Sequence, residues 1–106
     1  MIVAVVRFPL DPPLSMADAS ALFEESAPRY QHVPGLLRKH YLVAPDGSVG
    51  GGVYLWESRE AAEALYDQAW QDRLASRYGS PPVIDYFESP VTVEPDRITT
   101  ASATTA

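Results

Sequence analysis

The sequence predicts an α+β fold of the ferredoxin-like type, βαββαβ, with a four-stranded antiparallel sheet and both helices on one face. Three observations predict it. Runs rich in β-branched and aromatic residues alternate with helical stripes in the order strand, helix, strand, strand, helix, strand. A tight turn, Ala44-Pro45-Asp46-Gly47-Ser48, joins the middle two strands as a hairpin, with Gly available for positive φ. The remaining connections contain helices, and right-handed crossovers return both helices to the same side of the sheet.

Each element has its own signal. Ile2 to Leu10 is β-branched and stops at Pro9 and the Asp11-Pro12-Pro13 cluster, a short, mostly buried strand. Ser15 opens a helix with Asp18 in a capping-box position. Ala19, Leu22, Phe23, Ser26 and Tyr30 form its inward stripe, and Pro28 kinks or ends it. Val33-Pro34-Gly35 is a turn. Leu36 to Val43 and Val49 to Glu57 are the hairpin strands. Ser58 caps a second helix, with Glu60 in the first turn where the helix dipole favours an anion. Its stripe runs Ala61, Leu65, Ala69 or Trp70, Leu74 and Tyr78, and Gly79 with Pro81-Pro82 ends it. Val83 to Val93 is a fourth strand, interrupted near Pro90 and closed by Pro95. Residues 1–95 form the domain; 96–106 read as a flexible tail, small and polar from Thr99.

Bulk composition excludes several functions. The chain has 106 residues, enough for one domain with a modest core. It has no Cys, hence no disulfide or thiolate chemistry. The net charge of −6, with no basic cluster, argues against nucleic acid. No apolar run approaches the roughly 20 residues that span a bilayer. The apolar start at Met1-Ile2-Val3 lacks the basic flank of a signal peptide, and the expected location is cytoplasmic.

The strand opening Gly50-Gly51-Gly52-Val53-Tyr54-Leu55-Trp56 is the richest in chemical signals. Alternation puts Gly52, Tyr54 and Trp56 on one face. The glycines leave room for a cavity or a close backbone approach, or else form a bulge. The two aromatics are either pocket walls for a flat molecule or ordinary core. With the turn centred on Asp46-Gly47, Tyr41 lies opposite Gly52, Lys39 opposite Tyr54 and Leu37 opposite Trp56. The other face pairs His40 with Val53 and Arg38 with Leu55. Both faces are then apolar while helices cover one. A second sheet from an identical subunit is the simplest cover, which predicts a homodimer.

Pro34-Gly35-Leu36-Leu37-Arg38-Lys39 and the segment from Gly51 to Ala62, with Val5-Val6-Arg7-Phe8-Pro9 and Ala27-Pro28-Arg29-Tyr30, resemble the YdhR-type mono-oxygenases. The resemblance covers about residues 1–95. It implies a dimeric α/β barrel of the superfamily that includes the antibiotic-biosynthesis monooxygenases. It further implies oxidation of an aromatic or polyketide-like small molecule by O2 with no cofactor: no metal, haem or flavin. Related enzymes use an Asn and a Trp four residues apart on the third strand. Trp56 matches the Trp, and the Asn position falls on Gly52. Other members bind haem through a His, and others are cyclases or stress-response barrels. A non-catalytic binding dimer and an acid–base cyclase or lyase are therefore the alternatives.

Within that reading Trp56, Tyr54 and Lys39 are the catalytic candidates. Lys39 is a desolvated base, a cation holding a phenolate, or a snorkelling rim residue. Tyr54 hydrogen-bonds a substrate oxygen. Trp56 stacks on the substrate ring or donates its indole N–H. Leu37, Tyr41, Gly52, Tyr30, Tyr66 and Trp70 are the substrate-binding candidates, with core packing as the competing role for the three tyrosines and Trp70. His40 faces the dimer interface unless the hairpin slips by one residue, which would make it the base. His32 is a surface residue. No metal-ligand spacing and no phosphate-cradling loop is present.

Overall fold

The computed structural model describes residues 1–100. In chain order it holds β1 (Ile2–Pro9), α1 (Met16–Ser26), a 3₁₀ turn (Ala27–Tyr30), β2 (Leu36–Val43), β3 (Val49–Trp56), α2 (Arg59–Leu65), α3 (Gln68–Tyr78), β4 (Val83–Glu88), β5 (Val91–Glu94) and β6 (Arg97–Thr100). The main sheet has the order β2-β3-β1-β4 with every neighbour antiparallel, the ferredoxin-like arrangement.

Local chemistry places the helices. The Ser15 hydroxyl accepts from the Asp18 backbone N–H at 3.1 Å and starts α1. Pro28 lacks an N–H, so the α-helix ends at Ser26 and the chain tightens into the 3₁₀ turn that carries Tyr30. Ser58 caps α2 through Ala61 N–H at 3.1 Å.

The single second helix expected from the sequence is in fact two. The break falls at Tyr66-Asp67, where the Asp67 carboxylate accepts from Trp70 N–H at 2.8 Å and caps α3. The inward stripe is Ala62, Tyr66, Trp70 and Leu74, one position on from the expected Ala61 and Leu65, and the choice between Ala69 and Trp70 resolves to Trp70, only 1% exposed. Gly79 ends α3 at φ +90°, the left-handed conformation that a glycine C-cap supplies.

Three further expectations are corrected. The fourth strand does not continue to Val93: it stops at Glu88, and β5 pairs instead with β6 in a separate two-stranded hairpin. Arg97–Thr100 is therefore a strand rather than the start of a tail, because Asp96 at φ +65° turns the chain back. The expected disorder of 101–106 lies outside the described residues. In the β2–β3 ladder, Lys39 pairs with Tyr54 and Tyr41 with Gly52 as expected, but the register shifts between Leu36 and Arg38. Leu36, not Leu37, faces Trp56. Leu37 is squeezed out at the bulge and is 54% exposed.

The core lies between the sheet and the helices. Ala4, Val6 and Phe8 of β1 and Tyr54 and Trp56 of β3 meet Ala62, Tyr66, Trp70 and Leu74 there. On the opposite face, Val3, Val5, Val53 and Leu55 form a half-buried apolar strip, with Phe87 beside Val3 at 56% exposure. His40 stands on that outer side opposite Val53, so no slip brings it to the helices. Among the described residues, no helix is long and apolar enough to cross a membrane.

Candidate functional site

A cavity of about 430 Å³ opens between the helix-side face of the sheet, the 3₁₀ turn and α3. Val6, Phe8 and Gly51 form its floor, Ser26, Arg29 and Tyr30 one wall, Lys39, Tyr41 and Tyr54 the back, and Arg73, Leu74, Ser76, Arg77 and Tyr78 the α3 side. Phe8 and Tyr78 stack at 4.2 Å between ring centroids and close one end.

Lys39 is the chemical centre of this cavity. Strand alternation carries it to the helix face, and its aliphatic stem crosses Gly52. A Cβ on Gly52 would sit 3.4 Å from Lys39 Cε and 3.1 Å from the Tyr54 ring. The space expected to be empty at Gly52 is thus occupied by the lysine, and Gly52 itself is not on the cavity wall. Gly51 serves a different purpose: a Cβ there would collide with the Val6 carbonyl of the neighbouring strand.

The Lys39 Nζ lies 3.4 Å from the Tyr30 ring centroid, 3.8 Å from Tyr41 and 4.6 Å from Tyr54. Among the described residues it has no salt-bridge partner, and no Asp or Glu lines the cavity. The ring faces attract the cation, while loss of hydration opposes it. Burial lowers the Lys39 pKa to about 7. Lys39 does not snorkel to the rim.

The tyrosines move the other way. Burial raises the pKa of Tyr54 and of Tyr66, in the latter against the Trp56 hydrogen bond. Burial also raises Tyr41, partly offset by its hydrogen bond with Ser26. These phenols are neutral donors at neutral pH, and Lys39 is the group that can exchange a proton there. The Ser26 hydroxyl donates to the Phe23 carbonyl at 3.2 Å, so in the 2.7 Å bond between Ser26 and Tyr41 the phenol is the donor. The Tyr30 hydroxyl accepts from the Trp70 indole N–H at 3.0 Å and keeps its own hydrogen.

The residues expected from sequence divide. Lys39, Tyr54, Tyr41 and Tyr30 meet at the cavity. Trp56, Tyr66 and Trp70 stand behind its wall, and Trp56 is 0% exposed with its indole N–H committed to the Tyr66 hydroxyl at 3.0 Å. Packed against Ala62 and the sheet, Trp56 has no face left for a ligand ring. Leu37 does not line this cavity; it borders a second, shallower one of about 270 Å³ that Tyr30, Lys39 and Tyr41 also line. Arg29, Arg73 and Arg77 were not expected, although Arg73 and Arg77 follow Trp70 at the helical spacing of three and seven. Arg77 also donates to the Leu22 carbonyl at 2.8 Å and pairs with Glu25 at 3.5 Å. The cavity wall is therefore cationic in a protein of net charge −6. Among the described residues no cluster of three His, Asp or Glu side chains could hold a metal.

Comparison with known proteins agrees with this architecture. The family model described as "Putative mono-oxygenase ydhR" matches residues 3–88. A monooxygenase from the gene ActVA-Orf6 of Streptomyces coelicolor, solved in complex with nanaomycin D, superposes with a TM-score of 0.66. It shares 24% identity over 89% of this chain and 91% of that one. SnoaB of Streptomyces nogalater, a cofactor-independent oxygenase solved as a point mutant, gives a TM-score of 0.61 at 18% identity over 87% of this chain and 95% of that one. No curated protein matches the sequence.

Proposed function

The chain belongs to the YdhR family, a mono-oxygenase family, and on that premise we propose that it oxidises an acidic aromatic or polyketide-like small molecule with O2, without a cofactor, using Lys39 as the base. One observation carries this: an amine with a pKa lowered to about 7, with no carboxylate partner, in the wall of a cavity of about 430 Å³.

The steps follow from the residues. A substrate with an acidic C–H or O–H enters among aromatic rings that match its flat face. Neutral Lys39 takes the proton and becomes an ammonium beside the new anion. Arg29, Arg73 and Arg77 add positive potential, and the Tyr30 hydroxyl donates to the substrate oxygen. The electron-rich anion passes one electron to O2, and the radical pair combines to a peroxide. For an activated methylene, loss of water from the peroxide leaves a ketone, so CH₂ and O2 give C=O and H2O. The apolar floor keeps bulk water from the radicals.

The functional unit in this reading is a homodimer. The half-buried strip of Val3, Val5, Val53 and Leu55 is an apolar sheet face that a second copy would cover. The β5–β6 hairpin supports the same reading, with Val93 72% and Ile98 70% exposed.

The test is product isotope content. With metal-stripped protein, an anthrone or quinol panel and ¹⁸O₂, the reading predicts uptake above the autoxidation rate and one labelled oxygen in the product. A compound that binds tightly but is neither oxidised nor labelled would favour a binding protein instead. Conversion without O2 uptake would favour an acid–base cyclase or lyase.

A further inference from the structure

Lys39 is the only lysine in the chain; the other basic side chains are arginines, which stay protonated in proteins, and two histidines. The one side-chain amine of this protein is thus placed in a cavity, between three tyrosine rings, with no carboxylate to hold it as an ammonium. A base needs only to reach a proton, and a carboxylate would serve. A solitary, desolvated primary amine that lines a cavity can also form a covalent bond.

We infer that Lys39 is a nucleophile that condenses with aldehydes and reactive ketones of aromatic compounds entering this cavity, forming an imine at Nζ. The nitrogen lone pair adds to the carbonyl carbon, and the carbonyl oxygen takes a proton to give a carbinolamine. The nitrogen then loses its proton, the C–O bond breaks, and water leaves as C=N forms. Amine and carbonyl give imine and water, and no oxidant or reductant is consumed. The Tyr30 hydroxyl, in the wall beside Lys39, is the donor for the departing oxygen. The tyrosine rings accept an aromatic carbonyl compound, and the three arginines favour one that also bears an acidic phenol or a carboxylate. This activity goes beyond O2 chemistry and does not depend on it.

Reductive trapping tests it. The intact protein is incubated at pH 7 with 2-hydroxy-1-naphthaldehyde and sodium cyanoborohydride, and the reduced adduct is located by peptide mass mapping. The N-terminal amine serves as an internal control. Lys39 should be alkylated at least about tenfold faster than the side chain of Nα-acetyl-lysine amide, since an ordinary lysine is almost wholly protonated at this pH. Lys39→Arg and Lys39→Met should lose that adduct and keep the N-terminal one. Labelling of Lys39 no faster than the model compound, or labelling confined to the N-terminus, would overturn the inference. Because the readout is mass, a protein that fails to consume O2 can still pass, and an oxygenase can still fail.

Discussion

The Trp56 indole N–H donates to the Tyr66 hydroxyl at 3.0 Å, joining β3 to the loop between α2 and α3 inside the core. Trp56 also lies parallel to Tyr54, with ring centroids 6.2 Å apart, and so backs the cavity without entering it. Trp56→Phe removes a hydrogen bond and leaves a gap, and should cost about 1–3 kcal/mol. Denaturant unfolding would measure that loss, while the affinity for a bound quinol analogue stays near wild type. A fully stable variant with weakened binding would show instead that Trp56 touches the ligand.

Stability should depend on pH through Lys39. An unfolded lysine titrates near 10.4, whereas Lys39 in the fold titrates at about 7. Between these values the unfolded chain holds a proton that the folded chain has lost, so stability rises with pH, by at most about 1.4 kcal/mol per unit. Below pH 7 both states are protonated and the buried ammonium destabilises the fold by its full amount. Above about pH 10 the sign reverses, because the raised tyrosines Tyr54 and Tyr66 ionise first in the unfolded state. Chemical unfolding at pH 7, 8 and 9 should show the rise, and Lys39→Met should flatten it. An equal slope in that variant would contradict the assignment.

The adjacent glycines should respond differently to alanine. Gly51→Ala drives a methyl into the Val6 carbonyl of the sheet ladder and should cost about 3 kcal/mol or more. Gly52→Ala meets Lys39 Cε and the Tyr54 ring at 3.4 and 3.1 Å, and the His40 carbonyl at 3.1 Å. The lysine is already at ordinary contact distance, and the His40 carbonyl and the Tyr54 ring need give only a few tenths of an ångström, so this variant should fold with a loss of about 1–2 kcal/mol. Denaturant unfolding of the two variants should separate them, and equal losses would contradict the contrast.

The outer face of the sheet gives a prediction about assembly. Leu55→Glu introduces a charge into the apolar strip beside Val3 and should shift sedimentation from dimer to monomer. Wild-type protein that sediments as a monomer at micromolar concentration would contradict the dimer.

The sequence resolved the sheet better than the site. Alternation and one turn placed Lys39 across from Tyr54 and Tyr41 across from Gly52. Leu37 was misplaced because a bulge changes register without marking the sequence. The break at Asp67 was legible in principle, as an Asp three residues before Trp70 is a capping pattern, but the continuous apolar stripe masked it. Trp56 looked like a pocket wall because alternation gives a face, not a depth. Arg29 and Arg73 were invisible because only tertiary packing brings a 3₁₀ turn and α3 around one cavity.

The most direct test is the pH profile of O2 uptake by wild-type protein and Lys39→Met with an anthrone or quinol that the wild type oxidises. The account predicts a rate that rises with pH through an apparent pKa near 7, as Lys39 loses its proton, and a drop of about a hundredfold or more in the variant. A variant that keeps the wild-type rate and profile would contradict Lys39 as the base.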